Sequence, residues 1–552
     1  MAPQYGYLRS VDYISGASIM VPKARWNAAG GFDERYCPAY YEDTDLALSI
    51  RDAGFDVLFQ PASQVLHHEG VSCGKSNDSG HKRFQAINRW KFAAKWRQRL
   101  TTHQPTGMGL ATAIHRGCQG HALVIESQLL DPQKDAGSLF MMNYCLALRS
   151  LGYTITFLAT HATDCTPGLS HNMGARGLEV VAWEGPGCLE SLLSDPDRCF
   201  ALILVARPGN SRLMPLLRSL APTARIIYFT HDLHHIRIAR TAARAASEAE
   251  RQAGRIKARK LKKLEKRAFQ QADTVIHISE EEQAIADQLV PHRSIVIPPA
   301  VAVETEPPLA SRSNSVVFIA NFSHAPNSSG LRWFLAQVWP LVRRTHPEAQ
   351  LHVVGRNPPE FVAALHGHNI HCHGFVPALS SVTRSASVGV APLLEGAGVK
   401  GKILTCLAHG LPVVSTAIGL EGIVGGDEHW AAIREANTAE AMAAEIMALF
   451  SLQPDDQRRI SEQAQAFVRT RFGSSRLLAS MKTLLALQDL PFHEAAEDVC
   501  LDAPRSTDRH LQAHSHLCHH LHALGATLAA PAFMPAEHAA TDADLQPPAW
   551  PE

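Results

Sequence analysis

The chain has 552 residues, and its 52 Lys plus Arg balance 52 Asp plus Glu to a formal charge of zero. At roughly 150 residues per domain this length holds about three or four domains. Hydrophobic residues make up 46% and charged residues 19%, which suits folded cores and excludes a mostly disordered chain. Charge balance argues against a protein that coats nucleic acid through its net field. The eleven cysteines are scattered, without a Cys-x-x-Cys pair. That argues against a zinc ribbon or thioredoxin-like site and fits free thiols in a reducing compartment. The opening MAPQYGYLRSVDY lacks a signal-peptide layout, and no stretch is long and apolar enough to span a bilayer. The expected location is the cytoplasm.

Residues 1–100 are rich in aromatics and turn signals and end in a helical run, RFQAINRWKFAAKWRQRL. A linker is expected over 101–118, with a polar hinge at TTHQPTGMG. A first α/β domain is expected over 119–300. ALVIES (122–127), YTITFLAT (153–160), FALILVA (200–206) and ARIIYFT (224–230) read as strands, and 139–152 as a helix ending at Gly152. Strands alternating with helices imply parallel βαβ units. A second such domain is expected over 301–487, after a Pro- and Ser-rich join near 295–315. Its strands are SVVFIAN, QLHVVG, VGVAPL and LPVVST. Two doubly wound halves in succession suggest a clamp, with ligands in the cleft at the carboxyl ends of the strands. Residues 488–552 are rich in Ala, His and Pro and read as a disordered tail; its histidine cluster, His510 to His522, is a compositional feature first and a metal site second.

The most informative segment is VGVAPLLEGAGVKGKILTCLAHGLPVVSTAIGLEG (388–422). A strand ends near Leu393, then comes the loop Gly396-Ala397-Gly398-Val399-Lys400-Gly401-Lys402, then a short helix stopping at Gly410. Small residues let backbone approach a ligand closely. A helix N-terminus offers free N–H groups and the positive end of its dipole, and Lys400 and Lys402 add two point charges. Together these features make a pyrophosphate cradle. The loop FTHDLHHIR (229–237) gathers His231, Asp232, His234, His235 and Arg237 at a strand end, where α/β sites form. The basic run RIKARKLKKLEKRAF (255–269) has helical spacing, with Ile256, Leu261, Leu264 and Phe269 as expected buried positions. It reads as a solvated face, with anionic lipid at the inner membrane face as the functional alternative.

GAGVKGKIL, GLPVVST and GLEG resemble the nucleotide-sugar-binding half of retaining family-4 glycosyltransferases, which have the GT-B fold of two Rossmann-like domains. The likeness extends over roughly 120–485 and includes FIANFSHAPNSSGLRWF, HVVGRNP, HGFVPALSSVTRSASVGVAPL, DAGSLF, FTHDLHHIR and ADTVIHISEEE. It implies sugar transfer from a nucleotide-sugar donor to a glycan or lipid-linked acceptor, with retention and without a required metal or other cofactor, in bacterial surface polysaccharide synthesis. By that likeness Gly396, Gly398, Lys400 and Lys402 hold the diphosphate, with Asn321, His324, Arg356, Thr405 and Glu421 completing the donor side. His231 and Glu395 are the candidate catalytic residues beside the donor sugar, and Gly137, Ser138, Asp232 and Arg237 lie on the acceptor side. Two departures leave the nucleotide open. Thr405 stands where the family usually has a glutamate that contacts the ribose. Asn321, His324 and Asn327 replace the usual Arg and Lys, with Arg356 as the compensating cation.

VDYISGASIMVPKARWNAAGGFDERYCPAYYEDTDLALSIRDAGFDVLFQPASQVLHHEGVSCG resembles the C-terminal part of family-2 inverting glycosyltransferases with the GT-A fold. The likeness makes Asp43 a candidate base for an acceptor hydroxyl and His67 a metal ligand, with a divalent metal relevant only to this module. About a hundred residues hold only the acceptor-side part of such a domain. The module is therefore expected to be a remnant or truncated fragment without transfer of its own. Rivals are a non-catalytic glycosyltransferase-like scaffold and a GT-B epimerase or phosphorylase; the phosphorylase's cofactor lysine context is not seen.

Overall fold

The computed structural model describes residues 3–66, 82–103, 113–161, 167–196, 198–304, 313–365, 367, 369–425 and 430–487. His67 and the tail 488–552, with its histidine cluster, lie outside these residues.

The N-terminal module is built on a two-stranded antiparallel ribbon, β1 (Arg9–Ser10) against β2 (Leu58–Phe59). Two of its helices matter below, α1 (Glu42–Asp52) and α2 (Arg83–Lys95). Tyr36, Leu48, Phe92 and Trp96 form its small core. The module is pinned to the neighbouring domain: the Leu8 amide donates to the Gly174 carbonyl at 2.8 Å, Tyr7 is buried, and Arg116 pairs with Asp12 at 2.9 Å.

Seven parallel strands follow: β3 (Gly120–Glu126), β4 (Tyr153–Ala159), β5 (Leu178–Ala182), β6 (Phe200–Ala206), β7 (Arg225–Phe229), β8 (Thr274–His277) and β9 (Ser294–Val296). Their order is β5-β4-β3-β6-β7-β8-β9, a doubly wound sheet with its switch point between β3 and β6. Ala122 to Ile125 and Leu202 to Val205 are continuous apolar runs because helices cover both faces. Helix α3 (Ala136–Ser150) starts where the Asp135 carboxylate accepts the Ser138 amide at 2.8 Å. Between β7 and β8 stands a helical hairpin, α4 (His234–Ala243) and α5 (Glu248–Gln271). A reciprocal Ser247–Glu250 capping box opens α5.

Helix α5 corrects one expectation. Phe269 is buried, but Ile256 is 44% exposed. The packed stripe runs instead through small residues, Gly254, Ala258 and Ala268, together with Glu265. A Cβ on Gly254 would come within 2.4 Å of the Ala242 Cβ, so the two helices cross too closely for a large side chain there.

The second sheet holds β10 (Ser313–Asn321), β11 (Gln350–Arg356), β12 (Ile370–Gly374), β13 (Ala386–Ala391), β14 (Val413–Ser415) and β15 (Ile433–Glu435). All pairs are parallel, in the order β12-β11-β10-β13-β14-β15, with the switch point between β10 and β13. Helix α6 (Ala325–Trp333) follows β10, and α7 (Gly401–Ala408) follows the loop after β13. The short strands β9 and β15 carry no period long enough to be read from sequence. One buried apolar cluster runs through both sheets, from Tyr144 and Phe229 to Phe318 and Phe467.

The backbone crosses between the sheets twice. The first crossing, at 297–304, is held by the Val301 amide on the Phe472 carbonyl at 2.8 Å. The second is at Gly473, after which α8 (Ser474–Ala486) returns to the first domain, where Arg225 donates to the Leu484 carbonyl at 2.7 Å. A cavity of about 560 Å³ lies at these crossings, between α3, Ala300–Val303 and the start of α8. Among the described residues no helix is long and apolar enough to cross a membrane, and Cys37, Cys118, Cys145, Cys188, Cys199 and Cys406 are free thiols.

Candidate functional site

The carboxyl ends of the two sheets face one cleft. On the first side, β3 ends on Glu126, a 3% exposed carboxylate. Its Oε1 accepts from Arg207 Nε at 2.6 Å, and its Oε2 lies 2.9 Å from His231 Nε2. Burial opposes the charge of Glu126, but His231 and Arg207 outweigh it and hold the carboxyl at about 2. His231 is pushed below its ordinary value by burial and by the Arg207 charge, against the pull of Glu126. A neutral ring with its proton on Nε2, facing Glu126, would leave Nδ1 as an acceptor. Gly137 sits beside that atom: a Cβ there would lie 3.4 Å from His231 Nδ1 and 3.4 Å from Arg207 Nη2. The Ser138 hydroxyl is engaged with Asp135 at 3.0 Å as part of the helix cap.

Helix α4 opens directly after this histidine. Asp232 binds Arg237 Nε at 2.7 Å and lies 2.8 Å from His234 Nδ1. Burial works against the Asp232 charge, yet His234 and Arg237 hold the carboxyl well below the usual range. Two carboxylates meet the N-terminal amides: Glu282 accepts from Leu233 at 3.1 Å, and Glu265 accepts from His234 at 2.7 Å. Glu282 is 6% exposed; burial, reinforced by Asp232, pushes it up to about 8.

The glycine–lysine loop before α7 is pressed against this cluster. Gly398 has φ +75°, and a Cβ there would come within 2.9 Å of the Asp232 Cβ. Only glycine combines that backbone with that approach. A Cβ on Gly401 would come within 2.7 Å of the Ala136 Cβ, so the N-termini of α7 and α3 converge on the same space. Lys400 Nζ donates to the Gly398 carbonyl at 2.6 Å and lies 3.5 Å from Glu421. Burial lowers Lys400 despite Glu421. Lys402 donates to Asn327 Oδ1 and lies 5.4 Å above the Phe318 ring. Burial pushes Lys402 down to about 7. Arg240 spans the cleft, donating to the Gly396 carbonyl at 2.7 Å and to Glu421 at 2.8 Å.

Glu395 is 6% exposed; its Oε1 accepts from Ser329 at 3.3 Å, and its Oε2 has no hydrogen-bond partner among the described residues. His324 is lowered by burial and by Arg237, with Asp135, Lys402 and Asp232 also bearing on it, so it stands among charges of both sides. Asn321 reaches across to the Lys134 carbonyl at 3.0 Å. Arg356 lies alongside Asn321 in the sheet register and stacks over Phe375 at 3.9 Å. The Thr405 hydroxyl donates to the Gly401 carbonyl of its own helix at 3.0 Å. Asp43 belongs to the N-terminal module: its oxygens accept from the Gly16 and Thr44 amides, each at 2.7 Å. Among the described residues no cluster of three or more His, Cys, Asp or Glu has the arrangement to hold a metal.

Four cleft residues escaped the sequence reading: Glu126, Arg207, Glu265 and Glu282. Glu126 and Arg207 each directly end or follow an apolar strand, and that placement was the available signal. Glu265 was hidden inside a basic run, and Glu282 inside Glu280-Glu281-Glu282.

The family described as glycosyl transferases group 1 matches residues 313–451. This segment is similar to a group 1 glycosyltransferase domain. It holds Lys400, Lys402, Glu395 and the glycine loop. Among curated proteins, 67 residues are 39% identical to N-acetylglucosaminyl-diphospho-decaprenol L-rhamnosyltransferase of Mycobacterium tuberculosis, covering 12% of this chain and 22% of that protein. A 44.6 kDa protein in the cps region of Klebsiella pneumoniae is 26% identical over 176 residues, 30% of this chain and 45% of that one. The chain thus spans less than half the length of either relative. Sucrose-phosphate synthase from Thermosynechococcus elongatus has a similar structure, with TM-score 0.50 and 18% identity, covering 66% of this chain and 98% of that one. TarM, also solved as a Staphylococcus aureus mutant with UDP, gives TM-score 0.52 at 10% identity, covering 67% and 99%. The two sheet domains therefore have the GT-B fold.

Proposed function

We propose that the two-domain unit transfers a sugar, with retention and without a metal, from a nucleoside-diphosphate sugar to a glycan or lipid-linked acceptor in bacterial surface polysaccharide synthesis. One observation carries this reading: Lys400, Lys402 and the N-terminus of α7 meet His231, Gly137 and the N-terminus of α3 in one cleft. The leaving group is a nucleoside diphosphate, so negative charge grows on its oxygens as the glycosidic bond breaks. Fixed cations and free amides aimed at that charge lower the barrier. Lys400 and Lys402 take the diphosphate, and Lys402 gains its full charge beside it. Glu395, with one free oxygen, takes sugar hydroxyls. Arg356, Asn321, His324, Thr405 and Glu421 line the donor side, whereas Asp232, Arg237 and Ser138 shape the acceptor side. Glu126 and Arg207 position His231. The surface-polysaccharide setting draws on the cps-region relative, and the lipid-linked acceptor on the rhamnosyltransferase's name. The UDP bound by the TarM mutant makes uridine the first nucleotide to test. A cytoplasmic site with the basic face of α5 against anionic lipid suits such an acceptor. In the N-terminal module, Asp43 serves a local structural role.

Calorimetric titration with UDP, GDP, ADP and dTDP, each with and without EDTA, tests the reading. We expect one nucleotide to bind regardless of EDTA, and Lys400→Ala/Lys402→Ala to lose it. Binding that needs a divalent ion refutes the metal-free site. A non-catalytic scaffold is the second reading, favoured by the Thr405 hydroxyl being engaged with its own helix; failure of folded protein to bind any nucleotide would put it first.

A further inference from the structure

Helix α2 has two apolar faces where a surface helix ordinarily has one. Its inner face is accounted for: Phe92 packs with Trp96, Tyr36 and Leu48, and Asn88 donates to the Tyr36 carbonyl at 2.7 Å. Trp90, 77% exposed, and Ile87, 47% exposed, stand on the opposite side with exposed Ala94. Helical spacing sets these residues on one stripe, at i, i+3 and i+7.

The charge around this stripe is one-sided. Residues 82–100 contain seven Lys or Arg and no Asp or Glu. Lys95 and Arg99 are engaged with Asp33, Asp45 and Asp52, and Lys91 donates to the Arg35 carbonyl at 2.6 Å. Arg83, Arg89 and Arg97 are exposed and have no acidic partner among the described residues. The preceding stretch 67–81 contains two apolar side chains other than glycine, Val71 and Cys73.

We infer that the outer face of α2 is a docking surface for an anionic lipid bilayer. Trp and Ile enter the boundary between headgroups and acyl chains, and arginine stems lie along it with their guanidinium groups on lipid phosphates. A nucleic acid would satisfy the arginines but leave Ile87 without an apolar partner. This surface is separate from α5 and does not depend on the activity proposed above.

The test is cosedimentation of the full chain with vesicles of phosphatidylcholine alone or mixed with phosphatidylglycerol, with Trp fluorescence as a second readout. Binding to the mixed vesicles, weakened by salt, is expected. Ile87→Ser/Trp90→Ser should weaken it about tenfold or more, and Arg83→Gln/Arg89→Gln/Arg97→Gln should remove the preference for anionic lipid. Circular dichroism and an unchanged melting temperature establish that both variants are folded. Three results overturn the inference: no binding of the wild type to mixed vesicles, unchanged binding by the Ile87/Trp90 variant while Lys262→Glu/Lys263→Glu in α5 loses it, or conversion of a dimer to a monomer by the Ile87/Trp90 variant without lipid. The last would assign the stripe to a second copy of the chain.

Discussion

On the first side of the cleft, Glu126 is bonded by Arg207 at 2.6 Å and by His231 at 2.9 Å, so its charge is matched before any ligand arrives. On the second side, Lys402 has the neutral Asn327 as partner, and Lys400 has a carbonyl and a carboxylate 3.5 Å away. The first side is a finished network that fixes an imidazole. The second holds cations whose burial is only partly compensated, and an anionic ligand would complete it. Position is set by the matched charges, and affinity by the unmatched ones.

The largest expected effect comes from breaking the finished side. Glu126→Ala leaves the half-buried Arg207 without its carboxylate and should cost about 3 kcal/mol of stability, read by denaturant unfolding. Because the Glu126 carboxyl lies at about 2, below its usual position, its contribution is present above about pH 4.3 and is lost as pH falls toward 2. Glu126→Gln should flatten that acid limb; an unchanged acid limb would show that the network does not stabilise the fold.

The donor side should respond to pH differently. Lys402 is half-charged near pH 7 in the free protein, and a diphosphate raises its proton affinity. Nucleotide binding above pH 7 should therefore take up a proton, and affinity should fall as pH rises. Calorimetry in buffers of different ionisation enthalpy measures this uptake, which Lys402→Met should abolish. Smaller is the effect of Gly398→Ala, which forces a Cβ toward Asp232 at positive φ and should cost about 1–3 kcal/mol, seen as a lower melting temperature and weaker nucleotide binding. Asp43→Asn should be the mildest, with a stability loss of about 0.5–2 kcal/mol from its amide contacts and no change in nucleotide affinity.

The same contrast explains what could be read from sequence. The loop before α7 was legible because glycines and lysines crowd into a few residues between a strand and a helix, and that local order dictates its geometry. The long strands were legible because both faces are covered, which makes each a continuous apolar run. Glu126 and Arg207 are far apart in the chain, and their pairing exists only once β3 and β6 lie side by side. Helix α5 misled in part through size: the small Gly254, Ala258 and Ala268 pack along with Glu265 and Phe269, while the larger Ile256 faces outward.

The double backbone crossing limits how the two sheets can swing. A single tether would let the halves twist and slide freely. Two threads, at 297–304 and at Gly473, cross side by side and are tied by the Val301–Phe472 hydrogen bond. Like a door hung on two pins, the pair leaves one easy rotation, about the line that joins them. A rotation about that line would open the mouth of the cleft and, on closing, bring Gly398 back against Asp232.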